Sequence, residues 1–173
     1  MSTVPDLMAR IQQLADLPVT VAEFRGETTV DVPADRVLDV LGTLGAGPGS
    51  LVLTDLTARD RFPQEPRFEV IYTLTGYTPA VRLRVIARVP GDAPVVASAT
   101  SVWAAADWLE REVFDFFGIR FEGHPNLTRI LMPDDWEGYP LRRDVPLTEE
   151  PVEFVEHVPK VPSTIIPKSP PRT

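Results

Sequence analysis

The sequence predicts an α+β domain with a mixed or largely antiparallel sheet and helices packed on one face. A long ordered loop belt and an extended Pro-rich C-terminal tail follow it. Three observations lead there. Arg82, Arg84 and Arg88 alternate with Val81, Leu83, Val85 and Ala87, the period-2 pattern of a strand in a sheet with one wet face. Residues 103–117 instead carry apolar side chains at helical spacing. Beyond Gly118 the chain is so punctuated by Gly and Pro that neither period can continue. The expected division is an α+β domain over 1–100, a helix and loop belt packed on the same domain over 101–146, and a partner-docking tail over 147–173.

Taken in order, residues 5–17 read as an amphipathic helix with Leu7, Ile11 and Leu14 on one side and Pro18 ending it. Alternation over 19–24 and 28–32 around Arg25, Gly26 and Glu27 reads as a hairpin. A second helix fits 33–44, because Pro33 suits a first helical turn and Val37, Leu38, Val40 and Leu41 recur on one side. Gly45, Gly47, Pro48 and Gly49 break it. Strands are then expected over 51–58, 68–74 and 81–89, separated by a polar loop over 59–67 and a turn over 76–79. Helices segregated against such a sheet make an α+β fold, and the strand-to-helix order also admits a mixed sheet.

Composition excludes several classes of function. A net charge of −8 argues against a nucleic-acid groove or an anionic-membrane anchor, both of which need clustered positive charge. The absence of cysteine removes thiolate-bound iron–sulfur clusters, Cys-type zinc sites and disulfides. No apolar run approaches the ~20 residues of a membrane span, and the first residues lack a signal-peptide pattern. These features are those of a soluble, cytoplasmic-type chain.

The helix over 103–117 places Trp103, Ala106, Leu109, Val113, Phe114, Phe116 and Phe117 within one apolar arc. Asp107, Arg111, Glu112 and Asp115 fall outside it. Arg111 stands four residues from both Asp107 and Asp115, so it can pair with either acid. Gly118 supplies a left-handed helix stop. Glu110 breaks the pattern by falling inside the apolar arc, where a carboxylate needs a cation or several donors. It either snorkels to the rim, pairs with an arginine of its own chain, or meets an arginine of a partner chain. The segment after the helix starts with a short strand over 119–121 and continues through Gly123, His124, Pro125, Pro133, Gly138 and Pro140. Leu127, Ile130, Leu131, Met132, Trp136, Tyr139 and Leu141 give it apolar surface to bury. Arg129, Arg142 and Arg143 beside Asp134, Asp135, Glu137 and Asp144 give it directional bonds.

The ordered run Glu110, Arg111, Glu112, Asp115, Gly118, Ile119, Phe121, Gly123, His124, Pro125, Arg129, Ile130, Leu131, Pro133, Asp135, Trp136, Gly138, Pro140, Leu141, Arg142, Asp144 and Pro146 resembles the signature of the 30 kDa-type subunit of the proton-pumping NADH:quinone oxidoreductases, respiratory complex I. The match covers about a quarter of the chain. It departs from the family at Arg143 and Asp144-Val145, where lysine and then aspartate with an aromatic are usual. The resemblance implies a structural and docking subunit with no catalytic, cofactor or metal residues of its own, on the cytoplasmic face of the membrane. By the same resemblance, FMN, iron–sulfur clusters and quinone belong to partner subunits. Its partners would be the quinone-site large subunit and neighbouring iron–sulfur subunits. Related subunits of membrane-bound hydrogenases and of other quinone or phenazine oxidoreductases share the pattern.

A free-standing acidic-site enzyme is the competing reading, and the residues give it little. Glu110 and Glu112 are separated by about 200° around a helix and cannot converge on one ion. His157 has no co-ligand in view. Asp134, Asp135 and Glu137 lie beside Arg142 and Arg143, which favours a salt-bridge network over general acid–base work. His124 before Pro125 reads as a donor of hydrogen bonds that fix the loop. Gly45, Gly47 and Gly49 precede a strand pattern, whereas a dinucleotide loop precedes a helix. In the tail, Pro151, Pro159, Pro162, Pro167, Pro170 and Pro171 exclude a helix. Val152, Phe154, Val155, Val158, Val161, Ile165 and Ile166 are more apolar than a linker needs, so the tail is expected to lie along a neighbouring subunit rather than hang as a disordered end.

Overall fold

The structure, a computed structural model, describes residues 19–46, 50–77 and 80–145. The helix expected over 5–17, the Gly47 to Gly49 break, the second half of the turn over 76–79 and the tail from 147 fall outside the described residues. Strands β1 (Thr20–Phe24) and β2 (Glu27–Pro33) form the expected hairpin. Its two-residue turn puts Arg25 at φ 53° and Gly26 at φ 79°, and positive φ at both positions gives a twist that matches the flanking strands. Pro33 stays in the ladder as the last residue of β2, opposite Arg88. The helix expected to begin there therefore starts later: a 3₁₀ turn, Ala34–Arg36, leads into α1 (Val37–Gly45).

Strands β3 (Val52–Asp60), β4 (Phe68–Tyr77) and β5 (Ala80–Val89) complete a five-stranded sheet of order β1-β2-β5-β4-β3. All its pairs are antiparallel except β2 with β5, so the sheet is mixed. The parallel pair follows from α1 carrying the chain from β2 to the far edge, after which β4 and β5 return by antiparallel steps. Period 2 then sorts the side chains. Val30, Val32, Leu53, Leu56, Phe68, Val70, Tyr72, Leu74, Leu83, Val85 and Ala87 are buried in one core with Val37, Val40, Leu41 and Leu44 of α1. The opposite face carries Arg84, 3.0 Å from Glu27, and Arg88, 2.7 Å from Asp31, as the arginine alternation anticipates.

A second sheet has two parallel strands, β6 (Val95–Ala97) and β7 (Arg120–Glu122). Between them lie a 3₁₀ turn, Ala99–Ser101, and α2 (Ala106–Phe117), which packs against β3. The sequence pattern shows β7 but not β6, since three residues after Pro94 are too few to display a period. Trp103, expected on the apolar arc of the helix, lies before its first turn, and its Nε1 donates to Leu51 O at 3.1 Å. Gly118 ends α2 at φ 71°, its N–H donating to Phe114 O at 2.9 Å, as the glycine stop predicts.

Candidate functional site: the helix and its belt

Asp115 fastens the belt to α2. The helical wheel puts it on the polar side, yet its side chain is fully buried, because residues 129–132 wrap across that side. Its Oδ2 accepts the backbone N–H groups of Ile130, Leu131 and Met132 at 3.1, 2.8 and 2.9 Å, and Arg129 donates to Oδ1 at 3.2 Å. Burial alone would raise its pKa. The three N–H groups and the guanidinium outweigh burial and hold the carboxyl below the usual range.

Arg111 does not bridge Asp107 and Asp115, as the four-residue spacing suggested. Its Nε donates to Thr128 O at 3.0 Å and its Nη2 to Thr128 Oγ1 at 2.9 Å, while its guanidinium stacks 4.8 Å from the Trp108 ring. An uncapped loop carbonyl close at hand is a better partner than an exposed i,i+4 acid, which contributes only ~0.2–0.5 kcal/mol. Glu110 neither snorkels to the rim nor pairs with an arginine of its own chain among the described residues, and instead meets the other requirement of its place in the apolar arc, several donors. It is fully buried and has several donors in place of an arginine: Ala99 N–H to Oε1 at 2.6 Å and Ser98 Oγ to Oε2 at 2.7 Å. His124 Nε2 stands 4.0 Å from Oε2. Burial pushes the Glu110 pKa up, against the pull of Ser98, Ala99 and His124. Nearby, burial and the Glu110 charge both raise the pKa of Tyr72, whose hydroxyl has no hydrogen-bond partner among the described residues.

His124 fixes the loop, but within it the ring accepts rather than donates as the sequence suggested. Its Nδ1 accepts Asn126 N–H at 3.0 Å, so the ring proton sits on Nε2, which faces Asp107 O at 3.1 Å. Farther along, the belt satisfies the carbonyls that end α2. Leu141 N–H donates to Phe116 O at 3.1 Å and Arg142 Nε to Phe117 O at 2.7 Å, placing a cation at the negative end of the helix. The Arg142 guanidinium lies 4.6 Å from the Tyr139 ring and 5.4 Å from that of Phe68. Arg129 reaches Gly138 O at 3.0 Å from a turn in which Gly138 has φ 82°.

The belt is thus held more by polar anchors than by its apolar residues. Leu131 and Leu141, expected to be buried, are more than half exposed, as is Trp108 at 63%. Glu112, Pro125, Pro133 and Asp135 face solvent, and Trp136 and Pro140 are half-buried. Among the described residues no ion pair joins Asp134, Asp135 or Glu137 to Arg142 or Arg143, so the expected network there does not form. Its place is taken by one that sequence reasoning missed. Arg67 donates to Asp60 Oδ2 at 2.7 Å and to Asp144 Oδ1 at 2.5 Å, and Arg143 N–H donates to Asp60 Oδ2 at 2.9 Å. This ties the end of the belt to the end of β3. The available signal was opposite charges, Asp60 and Arg67, at the two ends of one strand-connecting loop. Ser98 and Thr128, the partners of Glu110 and Arg111, carried none. Among the described residues no three His, Asp or Glu side chains converge on a metal position, and Glu110 and Glu112 point one into the core and the other to solvent.

Known proteins share this architecture. The family model described as respiratory-chain NADH dehydrogenase, 30 Kd subunit, matches residues 30–151. The C subunit of the NADH-quinone oxidoreductase of Roseiflexus castenholzii is 44% identical over 153 residues, 87% of this chain and 88% of that protein. The corresponding C subunit from Citrifermentans bemidjiense is 46% identical over 136 residues, 79% of this chain and 84% of that protein. A solved structure described as Nqo5 of the trypsin-resistant fragment (1–134) superposes with TM-score 0.59 at 30% identity, covering 70% of this chain and 98% of that one. A chain of a membrane-bound sulfane sulfur reductase, an archaeal respiratory membrane complex, superposes with TM-score 0.71 at 25% identity, covering 96% of this chain and 97% of that one.

Proposed function

The chain belongs to the family of the 30 kDa subunit of respiratory-chain NADH dehydrogenase, and from that premise we propose that it is a docking subunit in the peripheral arm of a proton-translocating NADH:quinone oxidoreductase. In this reading the reaction, electron transfer from NADH to quinone coupled to proton translocation, belongs to the whole complex. FMN, iron–sulfur clusters and the quinone site are carried by neighbouring subunits on the cytoplasmic face of the membrane. The chain itself contributes a surface. Consistent with a peripheral position, no helix among the described residues is long and apolar enough to cross a membrane.

The observation that carries this reading is the Asp115 anchor. By taking up three consecutive belt N–H groups it fixes a Gly- and Pro-rich segment that has little apolar burial of its own, and it leaves Trp108, Leu131 and Leu141 outward. A surface ordered before binding loses less entropy on association, and Trp and Arg are the residue types that dominate interface energetics. The signature residues from Glu110 to Asp144 form or brace that surface, which meets the quinone-site large subunit. Residues 1–100 form the supporting domain, 101–146 the presenting helix and belt, and 147–173 a tail whose far end reaches a neighbour.

Likeness to a chain of the archaeal sulfane sulfur reductase favours one second reading, in which this subunit serves a related membrane complex with another electron donor or acceptor. Affinity purification of the tagged full-length chain from detergent-solubilised membranes distinguishes the two. Recovery of flavin- and cluster-bearing subunits with NADH:quinone activity supports the first, and recovery of cluster-bearing subunits without an NADH-oxidising module supports the second. Elution of the chain alone refutes both.

A further inference from the structure

The belt ends at an arginine-lined cleft. With Arg143 N–H on Asp60 and Asp144 on Arg67, the chain is pinned beside the outer end of β3 as far as Val145. A cavity of about 470 Å³ opens at this point, lined by Arg59, Arg61 and Arg143 together with Phe62 and Pro63. Two of these arginines are held from below by Glu69, a carboxylate with only 1% of its side chain exposed, which lies 2.5 Å from Arg59 and 3.3 Å from Arg61. Arg88 pairs with the same carboxylate. Arg88 is also neutralised by Asp31, but the Glu69 carboxylate is then shared between Arg59 and Arg61, and Arg59 remains 63% exposed above it. Asp60, the other acid at the cleft, is already occupied by Arg67 and by the N–H groups of Phe62 and Arg143. The Arg143 side chain makes no ion pair among the described residues. In a chain of net charge −8, this is a local excess of positive charge with its donors pre-positioned.

The residues that follow Val145 in the sequence supply the complement. Glu149, Glu150, Glu153 and Glu156 occur with no Lys or Arg before Lys160, interleaved with Val152, Phe154 and Val155. We propose that the acidic segment 149–156 docks in the cleft of its own chain, its carboxylates on Arg59 and Arg143 and its apolar side chains against Phe62 and Pro63. Reach is no obstacle: at ~3.3 Å per extended residue, Glu149 can lie ~13 Å from Val145, and Arg143 itself lines the cleft. Tethering compensates for the weakness of each exposed ion pair, because a short linker holds the segment at an effective concentration in the mM range. The acidic half of the tail is then kept on its own domain. The remainder, 158–173, with Lys160, Lys168 and Arg172 and no acidic residue, is left to a partner.

The absence of cysteine makes the test clean. A nitroxide on Val158→Cys in the otherwise intact full-length chain reports, by paramagnetic relaxation of backbone amides, which surface the segment visits. Strong relaxation of amides 59–64 is expected at ~10 mM salt, where the Debye length is ~30 Å, and its loss is expected near ~1 M, where that length is ~3 Å. The same loss is expected when Glu149, Glu150, Glu153 and Glu156 are changed to Gln, and separately in Arg143→Glu, whose exposed side chain leaves the fold intact. No relaxation at 59–64 at low salt overturns the proposal, and so does relaxation that survives both high salt and the Glu→Gln changes. Because the measurement is made on the isolated chain, its failure leaves membership of a respiratory complex untouched.

Discussion

Replacing Asp115 with Ala removes the acceptor of the Ile130, Leu131 and Met132 N–H groups and the counter-charge of Arg129. A hydrogen bond to a charged acceptor contributes ~1.5–3 kcal/mol, so a simple sum over these donors would exceed what one substitution costs. The belt can instead swing out and hydrate its freed N–H groups, which caps the loss near the ~3–5 kcal/mol typical of breaking a buried pair. For a chain of this size ~1 kcal/mol corresponds to ~2–4 °C, giving an expected fall in Tm of ~6–20 °C. Thermal unfolding followed by circular dichroism measures that fall, and hydrogen exchange should show protection lost first at residues 130–132. A pH series adds an independent check through Asp115→Asn. Because the folded-state pKa of Asp115 is depressed, its contribution is fully present above the ordinary value of 3.8 and is lost as the pH falls through the folded value. The difference between wild type and Asp115→Asn should therefore be wide at neutral pH and narrow in acid. A Tm within ~2 °C of wild type, with amides 130–132 still protected, would refute the anchoring role.

Glu110→Ala should destabilise by roughly 2–5 kcal/mol, because Ala99 N–H is left unpaired in the core and Ser98 Oγ–H loses its charged acceptor and keeps only Thr100 Oγ1. Asp107→Ala, at a partly exposed position, should cost under ~1 kcal/mol in the same denaturant titration. The Glu110 pKa is raised above 4.5, so its stabilising contribution is complete below that value and lost as the pH rises through the folded value. Wild type should accordingly lose stability with rising pH relative to Glu110→Gln. Gly118→Ala puts a Cβ on a residue at φ 71° and into the Tyr139 ring, so a loss of more than ~1 kcal/mol and a weakened Phe114–Tyr139 contact are expected from chemical denaturation and aromatic proton shifts. Trp108→Ala, at a 63% exposed site, should leave Tm within ~2 °C but lower the yield of chain recovered in the membrane complex; unchanged recovery would remove Trp108 from the docking surface.

The sequence alone determined whatever is written in a short window. The arginine alternation over 81–89 states which face of β5 is wet, Arg25-Gly26 states where the first hairpin turns, and Gly118 states where α2 stops. The dense run from Glu110 to Pro146 was enough to identify the family. These features are legible because backbone period and left-handed φ are properties of neighbouring residues. Tertiary structure decided the partners of the charged side chains. A helical wheel gives Asp115 an angle but not the loop that comes to cover it, and so placed outside the core a carboxylate that is fully buried. The same wheel offered Arg111 two acids on its own helix, while the belt brought it the Thr128 carbonyl. The tie between Arg67 and Asp144 spans 77 residues and joins the belt to the end of β3, the strand at the sheet edge. A hydrogen bond forms between groups within about 3 Å, and for residues far apart in sequence that distance is fixed by how the elements pack.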